Sequence, residues 1–129
     1  MSTPFNPTLV VTRKCNSDIS SSSYCLVKAV GDDDIDIPSE GQLVIGALTN
    51  DDAKGTASAP VSVAVQMGGM IKVQVDGSGV TAGTLCMADA SGNAKTVTSG
   101  KYAFGIALET HAAGDVGAFL FAPSYYEEG

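Results

Sequence analysis

Apolar and polar residues alternate with a period of two along much of the second half of the chain. Val61, Val63 and Val65 alternate with Ser62, Ala64 and Gln66, and beyond Gly68-Gly69 the chain resumes with Ile71, Val73 and Val75 against Met70, Lys72, Gln74 and Asp76. Period two puts one set on a buried face, so this segment predicts two half-buried strands joined as a β-hairpin by the glycine pair. Further strands are predicted over residues 24–30 and 42–48, over 84–88 and 94–98 about a turn at 89–93, and over 102–109 and 116–121. Both faces of the last pair are apolar or small, with Phe104, Ile106, Leu108, Phe119 and Phe121 prominent. Such a pair sits centrally in its sheet or presents one face to another subunit. Only the short stretch 110–114 hints at a helical period, so the chain reads as all-β.

One module recurs. Gly46-Ala47-Leu48-Thr49-Asn50-Asp51-Asp52-Ala53-Lys54-Gly55 returns as Gly105-Ile106-Ala107-Leu108-Glu109-Thr110-His111-Ala112-Ala113-Gly114, each copy running a strand into a polar loop that exits through glycine. Ahead of these strands, residues 1–20 hold Pro4, Pro7 and one short strand candidate, Leu9-Val10-Val11, followed by a polar run from Asn16 to Ser23. Proline lacks an amide donor and disfavours helix in its predecessor, so Phe5-Asn6-Pro7 is expected to stay extended. The expected organisation is an extended arm and linker over 1–20, a β-domain over 21–122 and a tail over 123–129. Residues 31–41, with Ile35 and Ile37 among five acidic side chains, read as a charged loop.

At 129 residues the chain suits a single domain able to bury a core without staples. Hydrophobic residues at 44% against 16% charged separate it from disordered sequences. The net charge of −7, with its seven basic residues scattered, repels phosphate backbones and argues against nucleic acid as a partner. No apolar run reaches the length of a membrane span, and the Met1-Ser2-Thr3-Pro4-Phe5 start lacks a signal peptide's basic and apolar regions, so no membrane partner and cytoplasmic synthesis are expected. Cys15, Cys25 and Cys86 are odd in number and widely spaced, which fits reduced thiols.

Each chemical motif fails on its context. Gly77-Ser78-Gly79-Val80-Thr81-Ala82 matches a dinucleotide fingerprint, but strand-like residues follow where a helix must present its amide end to pyrophosphate. Asp32, Asp34 and Asp36 alternate as in a calcium loop, yet Ile37 and Leu43 stand where glycine and a bidentate glutamate are required. His111, the single histidine, has no nucleophile element or orienting partner in the pattern, and the three cysteines form no C-x2-C pair for zinc. No catalytic, cofactor or metal residues are therefore assigned, and no enzyme activity is expected. Phe119, Phe121, Tyr125 and Tyr126 read as core and an anchored tail. Phe5, an apolar ring in a solvated arm, reads either as a group that docks on a partner or as part of an unanchored terminus.

The order of elements resembles the small capsid decoration, or cement, proteins of tailed bacteriophages. The resemblance runs through Ile45-Gly46-Ala47-Leu48 and its polar loop, the valine strand ending in Gly68-Gly69, Val80-x-Ala82-Gly83-x-Leu85, and Asp89-Ala90-Ser91-Gly92-Asn93-Ala94. It continues into Phe104-Gly105-Ile106-Ala107-Leu108-Glu109 and Ala113-Gly114-Asp115-x-Gly117, covering roughly residues 24–122. It implies a small compact β-barrel or β-tulip-like domain with an extended N-terminal arm, usually a homotrimer, on the capsid exterior where it bridges subunits of the major capsid protein. The segment matching that arm is residues 2–12, which makes Thr3, Pro4, Phe5, Asn6, Pro7 and Leu9 the expected capsid contacts. The acidic loop and the Tyr125-Tyr126-Glu127-Glu128 tail depart from the pattern. Two other classes remain open: a tail or fibre module of the virion, and a free ligand-binding β-domain or small enzyme, which requires a concave polar-lined site.

Overall fold

The alternating segments fold into two sheets of five strands each. The structure, a computed structural model, describes residues 9–19, 23–31, 34–49, 55–56 and 58–127. Strands β1 (Leu9–Cys15), β2 (Leu26–Val30), β3 (Asp34–Asp36), β4 (Gly46–Leu48) and β5 (Val61–Gly68) close into a barrel in the order β1-β3-β2-β4-β5. Strands β6 (Met70–Gln74), β7 (Leu85–Ala88), β8 (Ala94–Thr96), β9 (Lys101–Ala107) and β10 (Val116–Tyr126) form the second sheet in the order β6-β10-β9-β7-β8. Its two edges are linked by one parallel bridge, Val75 to Ala94. No helix occurs among the described residues, and the chain is a small, compact all-β domain.

The two sheets are one design used twice. Adding 59 to the paired residues Leu26↔Ala47 and Val27↔Gly46 gives Leu85↔Ile106 and Cys86↔Gly105, which are themselves paired. The same step carries Lys28↔Asp36 and Ala29↔Ile35 onto Met87↔Lys95 and Ala88↔Ala94. A step of 60 for β1 and 54 for β5 carries Val11↔Val65 onto Ile71↔Phe119 and Arg13↔Val63 onto Val73↔Gly117. Individual hydrogen bonds repeat too: Leu48 N to Cys25 O (2.9 Å) recurs as Ala107 N to Thr84 O (3.0 Å). Thr49 N to Ala64 O (3.1 Å) recurs as Leu108 N to Ala118 O (3.0 Å). Even the left-handed backbone at Tyr24 (φ 62°) recurs at Gly83 (φ 83°), where glycine meets the same demand without a Cβ penalty.

The recurring glycine module marks the centre of each unit. A Cβ on Gly46 would overlap the backbone carbonyl oxygen of Gln66, and a Cβ on Gly105 that of Leu120, the equivalent residue of β10. The cores follow the same plan with different side chains. Cys15, Val27, Ile35, Leu48 and Val65 fill the first, and their equivalents Val75, Cys86, Ala94, Ala107 and Phe119 belong to the second. Leu26, Val44 and Ala47 leave the first core and join the second, so the outer side of the first unit packs into the second. Backbone hydrogen bonds from Leu26 N to Gly92 O (2.6 Å) and from Gln74 N to Tyr24 O (3.0 Å) fasten this junction.

Several elements differ from the sequence expectation. The predicted hairpin about Gly68-Gly69 does not form: β5 belongs to the barrel and β6 to the second sheet, so the glycine pair is a corner between units. Gln66, expected on the solvent side, is buried at that corner. Its Nε2 donates to Leu48 O (3.2 Å) and Lys72 O (3.1 Å), and its Oε1 accepts from Lys72 N (2.9 Å), which ties β4, β5 and β6 together. The charged loop 31–41 contains β3, with Ile35 fully buried in the first core. Residues 9–15, expected in the arm with a short strand at Leu9-Val10-Val11, form a full barrel strand that contains it, because Leu9 to Cys15 satisfy their backbone groups along β5. Residues 123–126, expected in the tail, continue β10, with Ser124, Tyr125 and Tyr126 paired to Ala103, Tyr102 and Lys101 past a bulge.

Candidate functional site

The residues with chemical potential are used to close turns and fill cores. At the dinucleotide-like stretch, Asp76 Oδ1 accepts the Ser78 amide (2.9 Å) and shapes the turn, and strand β7 follows where a phosphate site needs a helix. Asp32 and Asp33 lie outside the described residues. Asp34 Oδ1 accepts from Asn16 N (3.0 Å) and Ile35 N (2.8 Å), and Asp36 Oδ1 accepts from Ile37 N (2.8 Å). Among the described residues no group of three His, Cys, Asp or Glu side chains is placed to hold a metal ion.

His111 sits at an isolated bridge to Val80, with its ring against Gly117 and tilted toward Phe119 at 6.4 Å. Its Nε2 lies 3.6 Å from Glu109 Oε1, beyond good hydrogen-bond length. The three cysteines are buried and none is in a disulfide. Cys15 Sγ points to Ser17 O (3.1 Å), Cys25 Sγ to Asn93 Oδ1 (3.2 Å) and Cys86 Sγ to Thr84 O (3.5 Å). Burial pushes the Cys86 thiol up to about 11; the charge of Asp76 adds to this and a backbone hydrogen bond at Ala107 opposes it. The thiolate is the reactive form, so Cys86 is an inert core residue at neutral pH. Valine occupies the positions equivalent to Cys15 and Cys86, which agrees with a packing role.

What remains is surface. Of the expected contact residues, Thr3, Pro4, Phe5, Asn6 and Pro7 lie outside the described residues. Leu9 is the first residue of β1, is 59% exposed, and pairs with Gly68, while Val10 beside it is 50% exposed. Leu9 therefore lies next to the corner between the two units. At the far end of the second sheet Tyr102 and Tyr125 form an exposed edge-to-face pair with ring centroids 5.1 Å apart.

A second surface was not singled out from the sequence. Leu85, Ile106, Leu120 and Met70 are consecutive cross-strand partners, so they form one apolar row across β7, β9, β10 and β6. Leu120 is 43% exposed and the other three are half-buried. The equivalent row on the first unit begins Leu26, Ala47 and Gln66, and there it is buried against the second unit. The signal in the sequence was the apolar character of both faces of the last strand pair, which allowed either a central place or a covered face.

No protein-family profile and no curated protein matches the chain. Among solved structures it is similar to the N base of the head fiber protein gp8.5 of bacteriophage phi29, at a TM-score of 0.68 and 18% identity, over 89% of this chain and 94% of that one.

Proposed function

We propose that the protein is a structural component of a phage head: a decoration protein on the capsid exterior that associates with itself, as a homotrimer, and bridges subunits of the major capsid protein. The observation that carries this reading is the likeness of fold to a head fiber base across nearly the whole of both chains. The order of glycine turns and apolar strands that resembles decoration proteins supports it independently, as does the use of Asp76 and Asp34 in backbone hydrogen bonds and of Cys86 in the core. In this reading the chain carries no chemistry. A protein that binds only the assembled lattice stabilises it by mass action, in proportion to occupancy and affinity. The net charge of −7 suits an exposed outer surface and disfavours contact with packaged genome.

The arm is the proposed capsid contact, and the structure defines where to cut it. Removing residues 1–8 leaves β1 whole, whereas a cut at residue 12 would strip more than half of a barrel strand. Co-sedimentation with expanded capsids is expected to show saturable binding of the full chain, and loss of binding by the 1–8 deletion with its thermal unfolding unchanged. Full occupancy by the deletion would overturn the arm assignment. Failure of the full chain to bind any shell would overturn the head assignment.

A further inference from the structure

The repeat makes the two outer faces comparable position by position, and they differ at the positions matched to the end of β4 and to β5. Where the first unit has Thr49 and Ser62, the second has Leu108 and Val116, and Leu120 stands exposed where the first unit has the buried Gln66, by the same steps of 59 and 54 that superpose the strands. All three of these apolar residues are more than two-fifths exposed, at 45%, 41% and 43%. The neighbouring Ile106 replaces a smaller residue, Ala47. An outer face that was merely solvated would gain nothing from this exchange, and contiguous exposed apolar rows mark interaction sites.

The chain itself supplies the precedent for what covers such a row. On the first unit Leu26, Ala47 and Gln66 of the row are buried, with its end residue Val10 left exposed, and the occupant is a unit of the same fold. We infer that the row formed by Leu85, Ile106, Leu120 and Met70, flanked by Leu108 and Val116, is a docking surface for a second copy of this chain. The second unit thereby repeats between molecules the kind of packing that the first unit makes within one. This inference rests on the self-association proposed above and places it on named residues. It leaves the exposed start of β1, at Leu9 and Val10, free for the capsid.

Sedimentation equilibrium of the full chain tests the assignment, since the monomer mass is 13.0 kDa. The full chain is expected to be oligomeric, and Leu120→Glu to weaken association roughly a hundredfold or more, because a carboxylate loses its water in an apolar seam. Leu120→Ser, milder at a site already 43% exposed, is expected to weaken it about tenfold with circular dichroism and melting of the dissociated chain unchanged. Leu43→Glu, at an exposed apolar residue outside the row, is expected to leave the mass unchanged. A monomeric full chain would overturn self-association altogether. An oligomer that survives both Leu120 variants, or that Leu43→Glu dissociates equally, would overturn this surface while leaving self-association standing.

Discussion

Replacing Gln66 by alanine tests whether the two units are held as one body by the corner between β5 and β6. The side chain is 6% exposed and makes three hydrogen bonds, to Leu48 O, Lys72 O and Lys72 N. At about 0.5–1.5 kcal/mol net for each, with the Lys72 amide left unpaired in a part-buried corner, the loss is about 2–4 kcal/mol. For a domain of 129 residues this lowers the melting temperature by roughly 10 °C. The assay is urea unfolding followed by tyrosine fluorescence and far-ultraviolet circular dichroism, the chain having no tryptophan. Gln66→Glu sharpens the test. Glutamate keeps the acceptor for Lys72 N but faces two carbonyl oxygens without a donor, so at pH 7 it should destabilise at least as much as alanine. Burial raises the pKa of that new carboxyl, so the folded state takes up the proton first and part of the loss returns as the pH falls toward 4. A loss under about 0.5 kcal/mol for Gln66→Ala would refute the reading of Gln66 as a strut, since one exposed hydrogen bond could account for it.

The remaining predictions concern the repeat and its cores. Gly46→Ala and Gly105→Ala should each cost more than about 3 kcal/mol, and by similar amounts, because each added methyl meets a backbone carbonyl that cannot move aside; chemical denaturation of both variants checks this. Cys86→Val, which installs the residue found at the equivalent Val27, should leave stability at pH 7 within about 1 kcal/mol. With its folded pKa raised to about 11 from 9.0, Cys86 holds a proton that the unfolded chain releases, so its contribution is complete below pH 9 and lost as the pH rises to 11. Cys86→Val should therefore lack about 2–3 kcal/mol of the alkaline stability loss seen in the natural chain, and parallel curves from pH 8 to 11 would contradict that assignment.

Period-two alternation was enough to locate most strands, because a sheet with one buried face leaves that imprint on Val61, Val63, Val65 and on Ile71, Val73, Val75 alike. The same continuity misled where β5 passes into β6. The alternation continues across Gly68-Gly69, while the chain leaves one sheet for the other, and nothing local records the change of partner. Gln66 looked solvent-facing for the same reason: its neighbours alternate correctly, but the face it occupies is covered by the second unit. β3 was missed because three residues hold one apolar side chain, Ile35, between two aspartates. Pro123 hid the continuation of β10, which passes it through a bulge before pairing resumes at Ser124.

The duplication was legible only at its glycines. Gly46 and Gly105 are shared because a carbonyl fills the space of a Cβ in both units. The cores around them exchange Val27 for Cys86, Ile35 for Ala94 and Val65 for Phe119, keeping the register while the side chains differ. The apolar row on the second unit became visible once those registers were known, since its meaning lies in comparison with the buried row of the first.

The central claim, a structural role on the exterior of a phage head, is tested most directly by electron microscopy of expanded heads mixed with the purified full chain. Regular added density on the outer shell, at positions where major capsid subunits meet and with the two-unit domain fitting it, is the predicted result. Bare shells at saturating protein, or density confined to the tail, would contradict the account.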